Sequence, residues 1–441
     1  MQRYMPMSDL AVGFIGIALL LGSILLGAPI MMALTGVGFI GIVAMNGMLP
    51  AISVLGTIYF SVVSSFHFSV IPMFLLMGFF AMRAGIGNDL FDACTKWLGR
   101  LPGGLAVAST GAAAAFGAAS GSSVGTATLF TKLALPEMIN RGYHRGFAAA
   151  SIAIAGTLAV LIPPSALMVV YGILTNAAIG KLLIAGILPG IIFSIILGAT
   201  VLTLALTNPA RAPRDDRIYS WREKMWALRM VGPLFAVIAA MMGGLYAGVF
   251  TPTEAGAIGA LVTFIMALLR QKSLRKLELG KTLLETVTLT AMIFAIIIGG
   301  LLFARFLALS GVSGFIQNIL VGGGLEVWMV VTIVTLVYLI LGMLMDAPSL
   351  LAISLPITHP VMMGLGFDPL WFGVYVIVLA EIGAVTPPVG INCFVVKGAA
   401  GNLVRLEEIF SSLTPFIFAS FLMLALLLIF PQIALYLPQQ M

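Results

Sequence analysis

The sequence predicts an all-α integral membrane protein built from two inverted-topology repeats, each with five membrane crossings and one re-entrant helical hairpin. Three observations carry that prediction. Of 441 residues, 61% are hydrophobic and 9% charged, with a mean hydropathy of +1.15; an ordinary soluble domain is about a quarter charged. The apolar residues fall in long stretches cut by Pro, Gly and charge. Short motifs in the first half recur some 224 residues later.

This composition excludes a water-soluble globule, a disordered chain and a nucleic-acid binder. The net charge of +6, from 22 basic and 16 acidic residues, reads as basic cytoplasmic loops. Cys94 and Cys393 lie far apart and form no CxxC, so no disulfide framework or metal knuckle is indicated. The opening MQRYMPMSDLAVGF runs into an apolar stretch without a small-residue cleavage site and reads as a retained helix.

A spanning helix needs roughly 20 apolar residues. The punctuation places ten crossings at about 10–26, 29–48, 52–82, 146–172, 180–207, 229–248, 252–270, 282–309, 368–395 and 408–431. Two further apolar regions, 103–138 and 326–362, each hold two helical halves around a Gly/Ser or Asp/Pro break. Each half is read as too short to cross, so both regions are read as hairpins that enter and leave on one face. With both termini outside, every basic residue except Arg3, Lys132, Lys181 and Arg305 falls on the cytoplasmic side, a strong positive-inside bias. The polar connector at 208–228 is then cytoplasmic.

The halves echo each other. LPEM (135–138) and HPVM (359–362) are 224 residues apart, as are VLIPPSA (160–166) and AVTPPVG (384–390). Ala84-Gly85 and Ser310-Gly311 are 226 apart, as are Pro189 and Pro415, and Gly27 precedes Gly248 by 221. Five crossings is an odd number, so the second copy enters from the opposite face, the plan of many secondary transporters. An inert anchor has no need of broken helices at membrane depth, where free backbone groups cost several kcal/mol each.

The breaks carry the chemistry. In segment 103–128, 22 of 26 residues are Gly, Ala, Ser or Thr. Tight helix packing explains the alanines. It explains ASGSSVG (119–125) less well, because Gly121 and Gly125 flank the hydroxyls of Ser120, Ser122 and Ser123. Free carbonyls and hydroxyls suit Na⁺, and a nearby helix N-terminus suits a carboxylate. Gly156-Thr157 and IPPS (162–165) form the facing element: two prolines break a helix and free upstream carbonyls, or simply kink it. EIGAVTPPVGIN (381–392) repeats the break with Gly383, Thr386 and Asn392. Asp346, in LGMLMDAPSLL, lies at the tip of the second hairpin. It binds an ion or substrate directly, as intramembrane acids commonly do, or caps the helix that starts near Pro348, or is simply exposed at the surface. Glu381 is a weaker case of the same kind. Glu254 completes a capping box with Thr251 in TPTEAG and is read as structural. Arg83, Lys96, Arg100, Asp89, Asp92 and Trp97 suggest an interfacial amphipathic helix. His67, His144 and His359 show no ligand spacing, and no GxxxxGK[ST] is present, so an ion gradient rather than direct ATP hydrolysis is expected to drive the protein.

Taken together, SGSSVGTAT, LPEM, RGY, LIPPS, YGILT, IGKLLIAGILPG, GVFTPTEAGA, LGMLMD and TPPVGIN make the chain resemble, over essentially its whole length, the large membrane subunit (M subunit, DctM-like) of TRAP transporters, the tripartite ATP-independent periplasmic transporters. The resemblance implies a non-enzymatic subunit in the bacterial inner membrane. It would work with a small four-helix membrane subunit and a periplasmic substrate-binding protein. Together they would import an organic anion, a carboxylate such as a C4-dicarboxylate or sialic acid, with Na⁺ as the coupling ion and no other cofactor. It also implies an elevator mechanism. The scaffold would comprise 1–83 and 229–309, and the transport domain 84–207 and 310–431. By the same resemblance, one Na⁺ site maps to Ser120, Ser122, Ser123, Gly156 and Pro163, and a second to Gly342, Asp346, Gly383 and Thr386. Ser165, Glu381 and Asn392 are candidates for the substrate cavity. Two competing readings are a binding-protein-independent Na⁺-coupled carrier of a related inverted-repeat type and an integral membrane enzyme. The enzyme would need a catalytic cluster, and the sequence offers no metal set, GxSxG or His/Asp cluster.

Overall fold

The computed structural model describes residues 7–214, 217–272 and 277–441. The placements of Arg3, Arg275, Lys276 and the N-terminus lie outside them. Among the described residues the chain is helical, with no strand. The first half runs α1 (Met7–Leu25), α2 (Ile30–Asn46), α3 (Met48–Ser64), α4 (Val70–Arg83), α5 (Ile86–Leu98), α6 (Gly104–Ser120), α7 (Ser123–Asn140), α8 (Arg145–Thr157), α9 (Ala166–Thr175), α10 (Ile179–Ala185) and α11 (Ile187–Thr207). The second runs α12 (Trp221–Tyr246), α13 (Pro252–Gln271), α14 (Leu279–Ser310), α15 (Val312–Gly322), α16 (Val327–Leu344), α17 (Ala347–Gly364), α18 (Pro369–Gly383), α19 (Ile391–Ala400), α20 (Leu406–Ile429) and α21 (Gln432–Leu435).

Three boundaries differ from the sequence reading. The stretch 52–82 is not one helix: α3 ends at Ser64, a 3₁₀ turn covers Phe66–Ser69, and α4 follows. Apolar content alone runs through that break. The helix expected to start near 229 starts at Trp221, because Ser220 and Glu223 form a capping box inside the polar connector. α16, read as too short to cross, is 18 residues long and apolar enough to do so. It is one of seven such helical stretches among the described residues.

Burial sorts the helices. Every residue of α8 from Gly146 to Thr157 is buried, as is every residue of α18 from Trp371 to Gly383. A helix apolar all round belongs inside, and these two form the centre. α8 is covered by α6, α7 and α20, and α18 by α16, α17 and α10. Around them, α2 packs on α14 and α4 on α13. The expected capping of α13 is present: Thr251 and Glu254 bond reciprocally, and Pro252 opens the helix. α18 begins on Asp368, whose carboxylate accepts the Leu370 N–H at 2.7 Å.

Both hairpin regions are broken rather than continuous. α6 and α7 pack together, as do α16 and α17, with only residues 121–122 and 345–346 between the paired helices. The small residues of α6 serve packing: a Cβ on Gly117 would overlap the Ala159 backbone. α5 is amphipathic as expected. Its Asp89 is held by Arg270 of α13, whose guanidinium also donates to the carbonyls of Ala84 and Met230 at 3.2 Å each. Beside it, Arg83 pairs with Glu278, and Gln271 donates to the Arg83 carbonyl at 2.9 Å.

A close interhelical approach bearing on the site is that between α16 and α18. A Cβ on Gly383 would lie 2.7 Å from the Gly342 Cα. Gly383→Val is therefore expected to lower stability by about 1–3 kcal/mol, read as a drop in the thermal unfolding midpoint in detergent. Gly36→Ala, which meets nothing within 4 Å, should leave the midpoint within error.

Candidate functional site

At the first tip, α6 ends at Ser120 and the chain turns through Gly121 at φ +57°, a left-handed conformation that glycine adopts without strain. Ser122 caps α7, its hydroxyl accepting the Gly125 N–H at 3.1 Å. Ser120 Oγ lies 2.8 Å from Thr126 Oγ1. Ser123 Oγ donates to Glu381 Oε1 at 3.3 Å, reaching from the first hairpin to α18 of the other half.

The facing break is in contact with this tip. A Cβ on Gly121 would sit 3.0 Å from the Pro164 carbonyl oxygen, and one on Gly156 would sit 3.1 Å from the Ser123 carbonyl oxygen. The structure thus brings Ser120, Ser122, Ser123 and Gly156 together. Pro163 is buried behind them, in a cis bond to Pro164. Ser165 is fully buried and caps α9 by accepting the Met168 N–H at 3.3 Å, so its hydroxyl is already engaged.

At the second tip, Asp346 occupies the N-cap position of α17 but makes no side-chain capping bond. Position fits the capping reading and bonding does not. Gly342 and Gly383 meet backbone to backbone. Thr386 turns inward on its own helix, donating to the Ile382 carbonyl at 2.6 Å. Pro387 and Pro388 are joined by a cis bond.

Between the two tips lies a cavity of about 370 Å³. Its polar side is Ser120, Ser122, Ser123, Asp346, Glu381 and Asn392. Its apolar side is Leu75, Phe79 and Met82 of α4, Leu289, Met292 and Ile293 of α14, and Leu167 and Val170 of α9. Gly156, Pro163, Ser165, Gly342, Gly383 and Thr386 stand outside the lining, as supports of the tips or beyond them. The α4 and α14 residues were not legible as cavity wall in the sequence, where they look like any lipid-facing or core apolar residue.

The electrostatics are unbalanced. Among the described residues, two carboxylates line the space and no Lys, Arg or His does. The positive potential comes from helix ends: Ser123, Ala347 and Ile391, the first residues of α7, α17 and α19, all border the cavity. Glu381 is 3% exposed and Asn392 1%; Glu381 Oε2 and Asn392 Nδ2 have no hydrogen-bond partner. Among the described residues, no three His, Cys, Asp or Glu side chains gather as a metal site. This arrangement can hold a small solute and cations.

Residues 17–433 match the family described as the tripartite ATP-independent periplasmic transporter, DctM component. The chain belongs to this family. It is 35% identical to the C4-dicarboxylate TRAP transporter large permease protein DctM of Pseudomonas aeruginosa, over 85% of this chain and 87% of that one. It is 30% identical to the ectoine TRAP transporter large permease protein TeaC of Halomonas elongata, covering 96% and 97%. An isethionate TRAP transporter permease, DctMQ of Oleidesulfovibrio alaskensis, is 32% identical over 92% of this chain and 62% of its own length. In fold, the chain is similar to the Alcanivorax borkumensis YdaH transporter, with a TM-score of 0.60 over 87% of this chain and 88% of that one at 14% identity. This DctM-family chain is therefore a multi-span membrane protein whose relatives are transporter permeases, not enzymes.

The cavity has a direct chemical test in a background with Cys94 and Cys393 replaced by Ser. Val124→Cys, on the cavity wall and 43% exposed, should react with a small charged thiol reagent. Ser165→Cys, at a fully buried position, should react at least ~10-fold more slowly, measured by mass shift.

Proposed function

We propose that this chain is the translocating subunit of a secondary transporter that imports an organic anion together with Na⁺. The observation that supports this best is the cavity between the two tips. An anion entering it meets Asp346 and Glu381, and among the described residues no basic side chain offsets their charge. In a site of low dielectric, that arrangement is costly unless cations enter with the anion. Helix N-termini supply only partial charge. Coupling to a monovalent cation follows from the charge balance. Na⁺ suits the oxygen-only donors: hydroxyls, carboxylates and main-chain carbonyls.

One Na⁺ site would use Ser120, Ser122 and Ser123 with carbonyls around Gly156 and Pro163. The other would use Asp346 with carbonyls around Gly342, Gly383 and Thr386. Ser165, Glu381 and Asn392 belong to the substrate region in this reading, Ser165 acting from behind the wall. The substrate class is that of the named relatives: small carboxylates and related organic anions.

The two halves would be inverted repeats of five crossings and one hairpin. The moving body would comprise residues 84–207 and 310–431, and the static one 1–83 and 229–309, in an elevator mechanism. Most of the cavity's apolar wall fits this division, since α4 and α14 come from the static set, while the tips and α9 come from the moving set. A small four-helix membrane subunit would complete the scaffold, and a periplasmic binding protein would deliver substrate. The protein would lie in the bacterial inner membrane with both termini on the periplasmic side.

Uptake of a labelled C4-dicarboxylate, measured in cells carrying the complete tripartite system with and without a Na⁺ gradient, tests the proposal. Asp346→Ala, and Ser122→Ala combined with Ser123→Ala, should abolish Na⁺-dependent uptake while membrane abundance stays at the wild-type level. Wild-type uptake that ignores Na⁺ would overturn the coupling.

A further inference from the structure

The cavity holds one acid that neither sodium site uses. Glu381 sits at the inner end of α18, 3% exposed, and only half of its carboxylate is engaged. Oε1 accepts from Ser123 Oγ at 3.3 Å, while Oε2 is buried with no partner. Asn392, at the start of α19, is 1% exposed, and its amide nitrogen is also unpartnered. Both residues line the cavity. The two groups are complementary neighbours, a carboxylate oxygen and an amide nitrogen, held just beyond ordinary hydrogen-bond length from each other.

A buried carboxylate with no cationic partner is expensive at membrane depth, where ionised groups are tolerated chiefly when paired. Hydroxyl and amide neighbours lower that cost without cancelling the charge. Among the described residues, the only other charged side chain on the cavity wall is Asp346, which has the same sign. Amide oxygen and nitrogen exchange places by a half-turn of the side chain. With the Asn392 oxygen turned toward it, Glu381 Oε2, the amide oxygen and Ser123 Oγ make a three-oxygen set beside the cavity, the two inner atoms closed off from it. We propose that this set is a third monovalent-cation site, occupied by Na⁺, which borders the first tip's site and shares Ser123 with it, and which draws Glu381 and Asn392 from the substrate region assigned above. It rests on the sodium-coupled reading above and adds one positive charge to the loaded state.

The site also has a structural consequence. Ser123 belongs to the first tip and Glu381 to the helix facing the second, so a cation here bridges the two hairpin assemblies. Filling it favours both tips being closed together.

The test is saturation binding of ²²Na⁺ to the purified chain in lipid nanodiscs, together with its small membrane subunit where the two co-purify. Glu381→Gln should bind one Na⁺ fewer per chain than wild type. Asn392→Ala keeps the carboxylate and should keep the number of sites, with one class weakened about tenfold. Thermal unfolding in Na⁺-free buffer checks that both variants are folded. If Glu381→Gln does not fold, the Asn392→Ala affinity decides. Equal number and affinity in wild type and the folded variants overturns the third site alone. A wild-type chain that binds no Na⁺ overturns the sodium-coupled reading and this site with it.

Discussion

Lipid offers the peptide backbone no hydrogen-bond partner, and this constraint organises the whole chain. An intact helix meets it residue by residue; a broken one does not. The breaks here, at 121–122, 158–165, 345–346 and 384–390, are turned inward: the first three are buried or half-buried, and in the fourth only Pro387 and Pro388, which carry no N–H to satisfy, are exposed. Gly121 closes on the Pro164 carbonyl, Gly156 on the Ser123 carbonyl, and Gly342 on Gly383. α8 and α18, which lead into two of the breaks, are the most completely buried helices. The polar cavity is what remains between the enclosed ends.

The same constraint explains what could be read from sequence. Pro-Pro pairs, a Ser-Gly-Ser-Ser run and an acid inside an apolar stretch are all costly in lipid, so their positions carry information. Ser120, Ser122, Ser123, Asp346, Glu381 and Asn392 were all legible, and all six line the cavity. Asp346 was read as ion ligand, helix cap or surface residue, and the structure places it at the cap position without the cap bond. Thr251 and Glu254 were legible for another reason, since capping boxes are local and depend on four consecutive residues.

What escaped the sequence was long-range or uniformly apolar. Phe79, Met82 and Met292 face the cavity, but residues of the same types face lipid elsewhere on the surface. The interruption at Ser65 was missed because residues 57–71 contain no proline, glycine or formal charge to mark it, although Pro72 stands in the first turn of α4. The hydrogen bond from Ser123 to Glu381 joins residues 258 positions apart, and no spacing rule relates them. α16 was judged by the break that follows it rather than by its own 18 apolar residues.

The clasp around Arg270 has a geometric consequence for any relative movement of the two hairpin assemblies. One guanidinium binds the carboxylate of Asp89 and the carbonyls of Ala84 and Met230, so the joint between α4 and α5 is riveted to α12 and α13. Rotation at Gly85 would have to break the Asp89 ion pair, the one of the three bonds that lies across it. The next place the chain can flex is 99–104, where Gly99, Gly103 and Gly104 surround Pro102. A pivot there would leave α5 with the outer helices, one helix later than the boundary at residue 84 proposed above and than its counterpart at Gly311.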